Sequence, residues 1–356
     1  MRISFEKIKG QDRAKNYLQS LVKILREEKV DSVFLEFLGP DGVGKLTSAV
    51  NLALAVNCLA EESVPCLRCE NCLQISRYQH PDLFILLPDM TADKWDKVIN
   101  SGELREYYNP LKQIKIDEIR SVEKELWREG PYNARYRFVI VANGENLNQY
   151  AQNAFLKTLE EPYVRTVLIF IVSRPERVLP TIHSRAKKVK FDPLRFEDFK
   201  EYFEGLELPF PVTLLYKISY SSIGRAKRIL KTNFVEKRKL LLESFIKKDM
   251  DLLLNVFQEF LMSGGNLDDF VDSFGSLVRD TLFVRENLTD FVINFDLEAE
   301  IKRFAEVIRS DYLYEMVQVY RRLHQLARSN VDESVIPYLM ISPVLGRSFR
   351  DTFRSY

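Results

Sequence analysis

The sequence predicts an α/β protein in which a parallel β-sheet is followed by a helical C-terminal half. Short, almost entirely apolar segments alternate with amphipathic segments up to about residue 191, which is typical of parallel strands buried on both faces. A glycine-rich loop joins the first of these strands to the next helix. From residue 192 onward the pattern contains helices only. Together these observations favour a sheet domain with layers of helices, followed by helical domains.

The glycine-rich loop resembles a phosphate-binding loop in all but one position. Residues 33–47 read VFLEFLGPDGVGKLT, and the loop residues of interest are Gly39, Gly42, Gly44 and Lys45. Such glycines let backbone N–H groups point at phosphates, the lysine reaches the β/γ-phosphates, and a hydroxyl next to it binds Mg²⁺. Here the next residue is Leu46, and Thr47 lies about 100° further round the helix. The loop supports the fold but not nucleotide hydrolysis; a chance glycine turn is the alternative.

The expected strands and helices follow the apolar pattern. Strands are predicted at 33–38, 81–87, 137–142, 167–172 and 189–191. In the first half, helices are predicted at 12–29, from the glycine-rich loop to residue 58, at 116–127 and at 149–160. In the second half we expect short helices within 195–231 and long ones at 235–262, 267–286, 297–309 and 311–328. The polar segment 89–112 is predicted to be an irregular loop or insertion.

Length and charge limit the classes of function. A chain of 356 residues exceeds most single cores, so we expect two or three domains. Lysine and arginine number 52 against 51 acidic residues, so the net charge of +1 gives no support for an autonomous nucleic-acid binder. The N-terminus lacks a signal-peptide apolar core, and no apolar run is long enough for a membrane span. A cytoplasmic protein is the expectation.

All four cysteines lie within residues 58–72 and predict a metal site. They are Cys58, Cys66, Cys69 and Cys72, separated by seven, two and two residues. Four thiolates at such spacing form a closed tetrahedral zinc site, which is structural because a catalytic zinc keeps an open position. Unliganded core cysteines are the alternative. Only Arg68 and Arg77 are basic nearby, so a peripheral zinc knob is favoured over a nucleic-acid ribbon.

The strand at 137–142 ends without the acidic pair of a nucleotide hydrolase. Such a pair ties one carboxylate to Mg²⁺ and uses the other to polarise the attacking water. The positions after this strand are Asn143 and Gly144, for which a tight turn is the favoured interpretation. Glu145 follows, within a turn. Leu46 and Asn143-Gly144 are therefore two independent losses, and both argue against hydrolysis.

Taken in order, the motifs resemble those of bacterial clamp-loader subunits of the AAA+ class. The motifs are Gly39-x4-Gly44-Lys45, the cysteine series, His80-Pro81-Asp82, the segment LKTLEEP at 156–162 and the segment PTIHSR at 180–185. The resemblance covers roughly residues 5–230, and the remaining helices match only in architecture. It implies an AAA+ P-loop-type domain at 1–190 with the zinc knob, a small helical lid domain at 191–233, and a helical oligomerisation collar at 234–356.

The family contains ATP-hydrolysing motor subunits (gamma/tau) and non-hydrolysing delta-prime subunits, and the two losses resemble the second kind. The resemblance implies a stator within the DNA polymerase III holoenzyme, in a hetero-pentamer with motor and delta subunits. Primed DNA and the sliding clamp are reached through that complex. A motor that uses Thr47 and Glu145 as displaced substitutes is one alternative, and an independent zinc-bearing DNA-binding protein is another.

The resemblance also implies roles for two arginines. The family's Ser-Arg-Cys motif reads Ser184-Arg185-Ala186 here, and Arg185 is expected to act as an arginine finger on a neighbouring subunit's ATP. The alternative is a surface arginine beside Lys187 and Lys188.

Arg225 matches the family's second sensor arginine, or has a structural role only. The resemblance implies a degenerate nucleotide site, which is either empty or binds nucleotide without turnover, formed by Gly39, Gly42, Gly44, Lys45, Thr47 and Arg225.

Overall fold

A computed structural model describes residues 1–101, 104, 113–127, 130–161, 163–326 and 333–346. The chain divides into two compact units, Met1–Asp198 and a second unit that begins at Phe199. The predicted change from mixed α/β to helices near residue 192 lies close to this boundary. The finer division into a lid at 191–233 and a collar at 234–356 stays a prediction. In the part of the chain that the structure describes, no helix is long and apolar enough to cross a bilayer.

The first unit is built on a parallel sheet, as predicted. The strands are β1 (Arg2–Ile3), β2 (Ser32–Leu38), β3 (Ser63–Val64), β4 (Leu83–Leu86), β5 (Arg137–Ala142), β6 (Thr166–Val172) and β7 (Lys187–Lys190). The main sheet has the order β4-β5-β6-β2-β7, and every neighbouring pair is parallel. Because the strands are parallel, the loops that follow β2, β5 and β6 meet at one edge of the sheet. Strands β1 and β3 form a separate parallel pair that the sequence did not predict.

Helices cover both faces of the sheet. The described helices up to residue 202 are α1 (Asp12–Arg26), α2 (Lys45–Asn57), α3 (Glu70–Ser76), α4 (Ala92–Ser101), α5 (Ile116–Leu126), α6 (Gln149–Glu160), α7 (Pro180–His183) and α8 (Phe196–Tyr202), the last of which crosses the boundary between the two units. One apolar cluster joins α1 and α2 to one face, and a second joins α5, α6 and α7 to the other. Strand β6 is buried along its whole length, which explains its continuous apolar run. At the start of α6, the side chain of Asn148 accepts a hydrogen bond from the backbone N–H of Ala151 and so caps the helix.

The prediction of an irregular loop at 89–112 is wrong for part of that segment. Residues 92–101 form α4, on which Val98 is fully buried and Trp95 packs against the same apolar cluster. Spacings of three and four residues place Trp95, Val98 and Ile99 on one side of a helix, and the polar residues between them hid this stripe. Residues 102–103 and 105–112 lie outside the described part of the chain.

The described residues of the second unit form helices joined by turns and short irregular segments, with no strand among them. Beyond α8 the helices are α9 (Val212–Ile218), α10 (Ile223–Lys231), α11 (Phe234–Lys247), α12 (Met250–Met262), α13 (Leu267–Arg285), α14 (Glu298–Val307), α15 (Ser310–Leu326) and α16 (Val335–Ile341). The single helix predicted at 235–262 is instead two, because Lys248 adopts a left-handed conformation with φ of 56° and the Asp249 side chain caps α12. The predicted break at 263–266 is confirmed by the end of α12 and the start of α13.

Candidate functional site

The loop between β2 and α2 is shaped by close backbone contacts. A Cβ atom at Gly39 would lie 2.1 Å from the backbone oxygen of Phe191, so only glycine fits there. Gly44 ends the loop with φ of 102°, a conformation that favours glycine, and immediately precedes α2. The sequence Gly39-x4-Gly44-Lys45 therefore forms the predicted strand–loop–helix unit at the carboxyl edge of the sheet.

Lys45 is turned back onto its own loop. Its Nζ donates to the carbonyl oxygens of Gly39 and Pro40, the latter at 2.6 Å, and to Oγ of Ser173 at 2.9 Å. The residue is only 4% exposed. An ammonium group has three N–H donors, and these contacts engage them with internal acceptors. A phosphate group at this loop would have to displace such contacts to reach the lysine.

Leu46 and Thr47 lie on different sides of α2. Leu46 is buried and belongs to the apolar cluster between α2 and the sheet. Thr47 is exposed. The helical rotation expected from the sequence thus separates the position after the lysine, which is filled by a core side chain, from the available hydroxyl. The arrangement offers no hydroxyl ligand for Mg²⁺ at the position where a phosphate-binding loop places one.

Glu145 lies beside Ser173, which contacts Lys45 of the phosphate-type loop, although Asn143 and Gly144 supply no carboxylate. Asn143 is left-handed, and residues 144–146 form a 3-10 turn at the end of β5. The Glu145 carboxylate accepts a hydrogen bond from the backbone N–H of Ser173 at 3.2 Å, and its side chain is fully buried. Burial raises its pKa, while backbone N–H groups and the charges of Arg174 and Lys45 oppose that rise. A carboxylate therefore lies beside the loop, within a buried polar cluster.

Ser173 is a residue of this cluster that the sequence analysis missed. It follows the last residue of β6, next to the loop strand β2, and links Lys45 to Glu145 through its side chain and its backbone N–H. The available signal was its position: a small polar residue directly after a buried parallel strand adjacent to the glycine-rich loop.

Arg185 lies on the surface between α7 and β7. Its guanidinium donates to the carbonyl oxygen of Thr181 at 3.0 Å and to the carboxylate of Glu160 at 2.7 Å. The side chain of Arg185 is 37% exposed to solvent. Ser184, the preceding motif residue, is exposed and donates to the same carbonyl of Thr181. The motif thus places a charged, solvent-accessible arginine on the surface, where a hydrogen bond to Thr181 attaches it to α7.

Arg185 lies at the opposite edge of the sheet from its own glycine-rich loop. It lines a cavity of about 250 Å³ together with Ser32 and Thr166, the first residues of β2 and β6. The loop with Lys45 follows the last residue of β2, and a strand of seven residues spans roughly 20 Å. This separation means that the guanidinium cannot act on a phosphate held by its own loop.

The positive charge of Arg225 is balanced by carboxylates within the second unit. It is 8% exposed, and it forms ion pairs with Asp272 and, at 3.5 Å, with Asp269, both on α13. Its guanidinium carbon also lies 4.7 Å from the ring centre of Tyr220. Burial tends to lower its pKa, but the two carboxylates outweigh burial and raise it. The contacts of this unit support the structural alternative for Arg225.

The four cysteines converge as predicted. The sulfur atoms of Cys58, Cys66, Cys69 and Cys72 all lie within 4.8 Å of one another. A tetrahedral zinc with Zn–S bonds of about 2.3 Å requires sulfur atoms about 3.8 Å apart, so the cluster fits such an ion. These cysteines can bind a metal ion.

Backbone N–H groups support negative charge on the sulfur atoms. The N–H of Cys66 points at the sulfur of Cys58 at 3.3 Å, and that of Cys69 points at the sulfur of Cys66 at 3.4 Å. Burial acts to raise the pKa of Cys66, but hydrogen bonds from the N–H groups of Arg68 and Cys69 and from neighbouring thiols lower it to about 6. Burial raises the pKa of Cys58 and Cys72. A bound cation would supply the charge that these two buried sulfurs need to ionise.

The family of the chain follows from comparison with known proteins. The family described as "DNA polymerase III, delta subunit" matches residues 13–195, just over half of the chain. The chain belongs to this family. The matched region contains the glycine-rich loop, the cysteine cluster and Arg185, and it ends before Arg225.

Individual relatives carry two different names. DNA polymerase III subunit delta' of Bacillus subtilis is 29% identical over 178 residues, which is 50% of this chain and 47% of that protein. The protein of the same name from Pseudomonas aeruginosa is 31% identical over 41% of this chain and 39% of its own length. DNA polymerase III subunit gamma/tau of Mycobacterium tuberculosis is 29% identical over 53% of this chain and 28% of its own. The chain therefore spans less than half of these relatives, and identity does not separate the two kinds of subunit.

Proposed function

We propose that this chain is a non-hydrolysing clamp-loader subunit of the delta-prime kind, which helps to load a sliding clamp onto primed DNA. In this proposal Arg185 acts as an arginine finger on ATP bound by a neighbouring motor subunit. The observation that carries the proposal is the location of Arg185, exposed and at the sheet edge opposite its own phosphate-type loop. A guanidinium supplied by a neighbour stabilises charge on the transferring phosphoryl group.

The side chains at the chain's own phosphate-type loop support a subunit that does not hydrolyse ATP. Leu46 is part of the apolar core, Asn143 supplies no carboxylate, and Lys45 is held by internal acceptors. In the proposed complex, gamma/tau and delta subunits complete a hetero-pentamer in the bacterial cytoplasm. A lid at 191–233 would be followed by an oligomerisation collar at 234–356.

The cysteine cluster is proposed to hold one structural zinc ion. Cys58, Cys66, Cys69 and Cys72 supply four ligands and so leave no open position for a substrate. The ion would fix the fold of residues 58–72, between α2 and α3. No chemical step is assigned to it.

The test is the ATPase rate of the reconstituted complex with Arg185→Ala. If Arg185 is the finger, the rate constant falls by about 10³- to 10⁵-fold at the one site it serves, and the total rate falls by that site's share. Arg177→Ala is the matched control, because Arg177 is also exposed and lies on the same segment. An unchanged rate with Arg185→Ala would refute the arginine-finger role.

A motor subunit is the second candidate, and one observation favours it. The buried carboxylate of Glu145 lies beside the phosphate-type loop, where a displaced acidic residue would be needed. Thr47, the proposed substitute hydroxyl, is exposed on α2. ATP hydrolysis by the isolated chain that disappears in Lys45→Ala would establish this function in place of the first.

A further inference from the structure

Glu36 is a carboxylate in the middle of the loop strand β2. It is fully buried between Leu35 and Phe37, which are themselves fully buried. Neither of its oxygens has an aligned hydrogen bond within the described residues. A buried carboxylate is costly unless a partner compensates it, so this residue needs an explanation. Its sequence neighbours are apolar and offer none.

The partner of Glu36 is His183, the last residue of α7. Nδ1 of the imidazole lies 2.6 Å from Oε1 of Glu36, although the contact is not aligned as an ideal hydrogen bond. Nε2 of the same ring lies 2.8 Å from the carbonyl oxygen of Pro175. A carbonyl oxygen can only accept, so Nε2 carries a proton. A nitrogen and an oxygen at 2.6 Å also need a proton between them, because two lone pairs would repel each other.

The proton between His183 and Glu36 can be assigned to either side chain. Either His183 is an imidazolium beside a Glu36 carboxylate, or a neutral His183 accepts a proton from a Glu36 carboxylic acid. In both, the pair holds one proton between the two side chains and carries no net charge. Lys188 is aligned with Glu36 on β7, and Arg185 lies two residues beyond His183 in the chain.

The pair is connected to Arg185 through α7. The backbone N–H of Arg185 donates to the carbonyl oxygen of Ile182, and its guanidinium donates to that of Thr181. Both carbonyls belong to α7, and His183 attaches the end of this helix to β2. Arg185 is therefore connected to β2 through α7 and the imidazole of His183.

We propose that Glu36 and His183 share a proton and act as positioning residues that hold Arg185 in place for the neighbouring subunit's ATP. This inference rests on the proposed function of Arg185. It adds a requirement that the sequence motif does not contain, because Glu36 lies far from 180–185 in the chain. Neither residue touches the phosphate; their effect passes through α7.

The test uses two replacements of Glu36 in the reconstituted complex. Glu36→Leu fits the apolar strand but leaves Nδ1 of His183 without a partner. We expect the kcat at the site served by Arg185 to fall by about tenfold to a hundredfold, with little change in KM for ATP, because misplacing a catalytic group by about 1 Å has such an effect. Glu36→Gln should keep most of the activity, because its amide N–H can donate to Nδ1. Glu197→Leu, at an exposed position, is the control.

Two further measurements separate the possible failures. If Arg185→Ala has no effect, the arginine finger itself is refuted. If Arg185→Ala lowers the rate but Glu36→Leu does not, only the positioning inference is overturned. In ¹⁵N-histidine spectra, with His183→Gln assigning its signal among the three histidines, Nε2 should be protonated and Nδ1 should sense a shared proton that is lost in Glu36→Leu. An unchanged spectrum in that variant would also contradict the inference, whatever the fate of the ATPase.

Discussion

The guanidinium of Arg185 forms an ion pair with the carboxylate of Glu160, with 2.7 Å between Nη2 and Oε1. Glu160 lies in the motif 156–162 at the end of α6, and Arg185 closes the motif 180–185. Two motifs that carried the resemblance are thus joined by a direct contact. Both side chains remain partly exposed, so the arginine can exchange this carboxylate for another anion.

Replacing Glu160 should free Arg185 from its ion pair and so favour the proposed contact of Arg185 with ATP on a neighbouring subunit. Exposed ion pairs contribute roughly 0.2–1 kcal/mol, so Glu160→Ala is expected to raise the ATPase rate of the complex by no more than about fivefold at limiting concentrations of this chain. Rates measured across a concentration series of this chain test the effect. Glu161→Ala, at the next position, is the control. A loss of activity in Glu160→Ala alone would mean that Glu160 supports the arginine rather than competing for it.

Restoring a hydroxyl at position 46 should not create an ATPase. Leu46→Thr places a polar group in the core between α2 and the sheet and removes apolar volume, which is expected to cost about 2 kcal/mol of unfolding free energy. The acidic pair after β5 would still be absent. Denaturant unfolding and ATP turnover by the isolated chain test both parts, and Thr47→Val at the exposed neighbouring position serves as control. ATP turnover by Leu46→Thr would show that the lack of a carboxylate at Asn143 does not prevent hydrolysis.

The free energy of unfolding should depend on pH because Glu145 is buried. Its pKa in the folded chain is raised above the ordinary value of 4.5, mainly by burial. The stabilising contribution of the protonated acid is therefore complete below pH 4.5 and is lost as the pH rises through the raised pKa. Glu145→Gln cannot ionise, so its unfolding free energy relative to wild type should increase from pH 4.5 to pH 8. Unfolding curves across that range test this, with the exposed Glu176→Gln as control. A difference that does not change with pH would contradict the raised pKa.

Arg225 should matter for stability more than for nucleotide response. Arg225→Ala removes the buried guanidinium that pairs with Asp272 and with Asp269, although Asp269 keeps its ion pair with Arg228, and removing one partner of a buried pair costs about 3 kcal/mol. Arg225→Lys keeps the charge but not the geometry of the guanidinium, so it should fall between wild type and Arg225→Ala. Thermal unfolding ranks the three. A variant with unchanged stability but altered ATP dependence of the complex would instead identify a nucleotide sensor.

Removing one cysteine should abolish the proposed zinc site. For Cys69→Ser we expect the zinc content to fall from one ion per chain to a small fraction, with a lower unfolding temperature, because metal binding contributes directly to folding. Elemental analysis and thermal unfolding measure the two effects. Ser76→Ala in α3 is a nearby control that leaves the sulfur atoms intact. Chelator-free protein without zinc and with four freely reactive thiols would exclude the metal site.

Local patterns predicted much of the first unit. The apolar runs located β5 and β6, and the helix predicted at 149–160 has the same bounds as α6. The cysteine spacing predicted a cluster that the structure confirms. These features depend on neighbouring residues, so their physical causes are visible within short windows of sequence.

Contacts between distant residues were not predictable in the same way. Glu36 and His183 meet because β2 and β7 are adjacent and α7 lies before β7, an arrangement that depends on the order of strands in the sheet. A glutamate inside an apolar strand signals that a partner exists, but not which one. The pairing of β1 with β3 was missed for a similar reason: two-residue strands carry no periodicity.

Among the described residues, β7 is the last strand on one side of the main sheet, and this position bears on how the chain behaves in solution. An unpaired strand edge is a template for pairing with another molecule, and lysine side chains oppose such pairing. Lys187, Lys188 and Lys190 are exposed along β7 and leave only Val189 buried in the strand. The same short segment that follows Arg185 therefore protects the sheet against edge-to-edge aggregation.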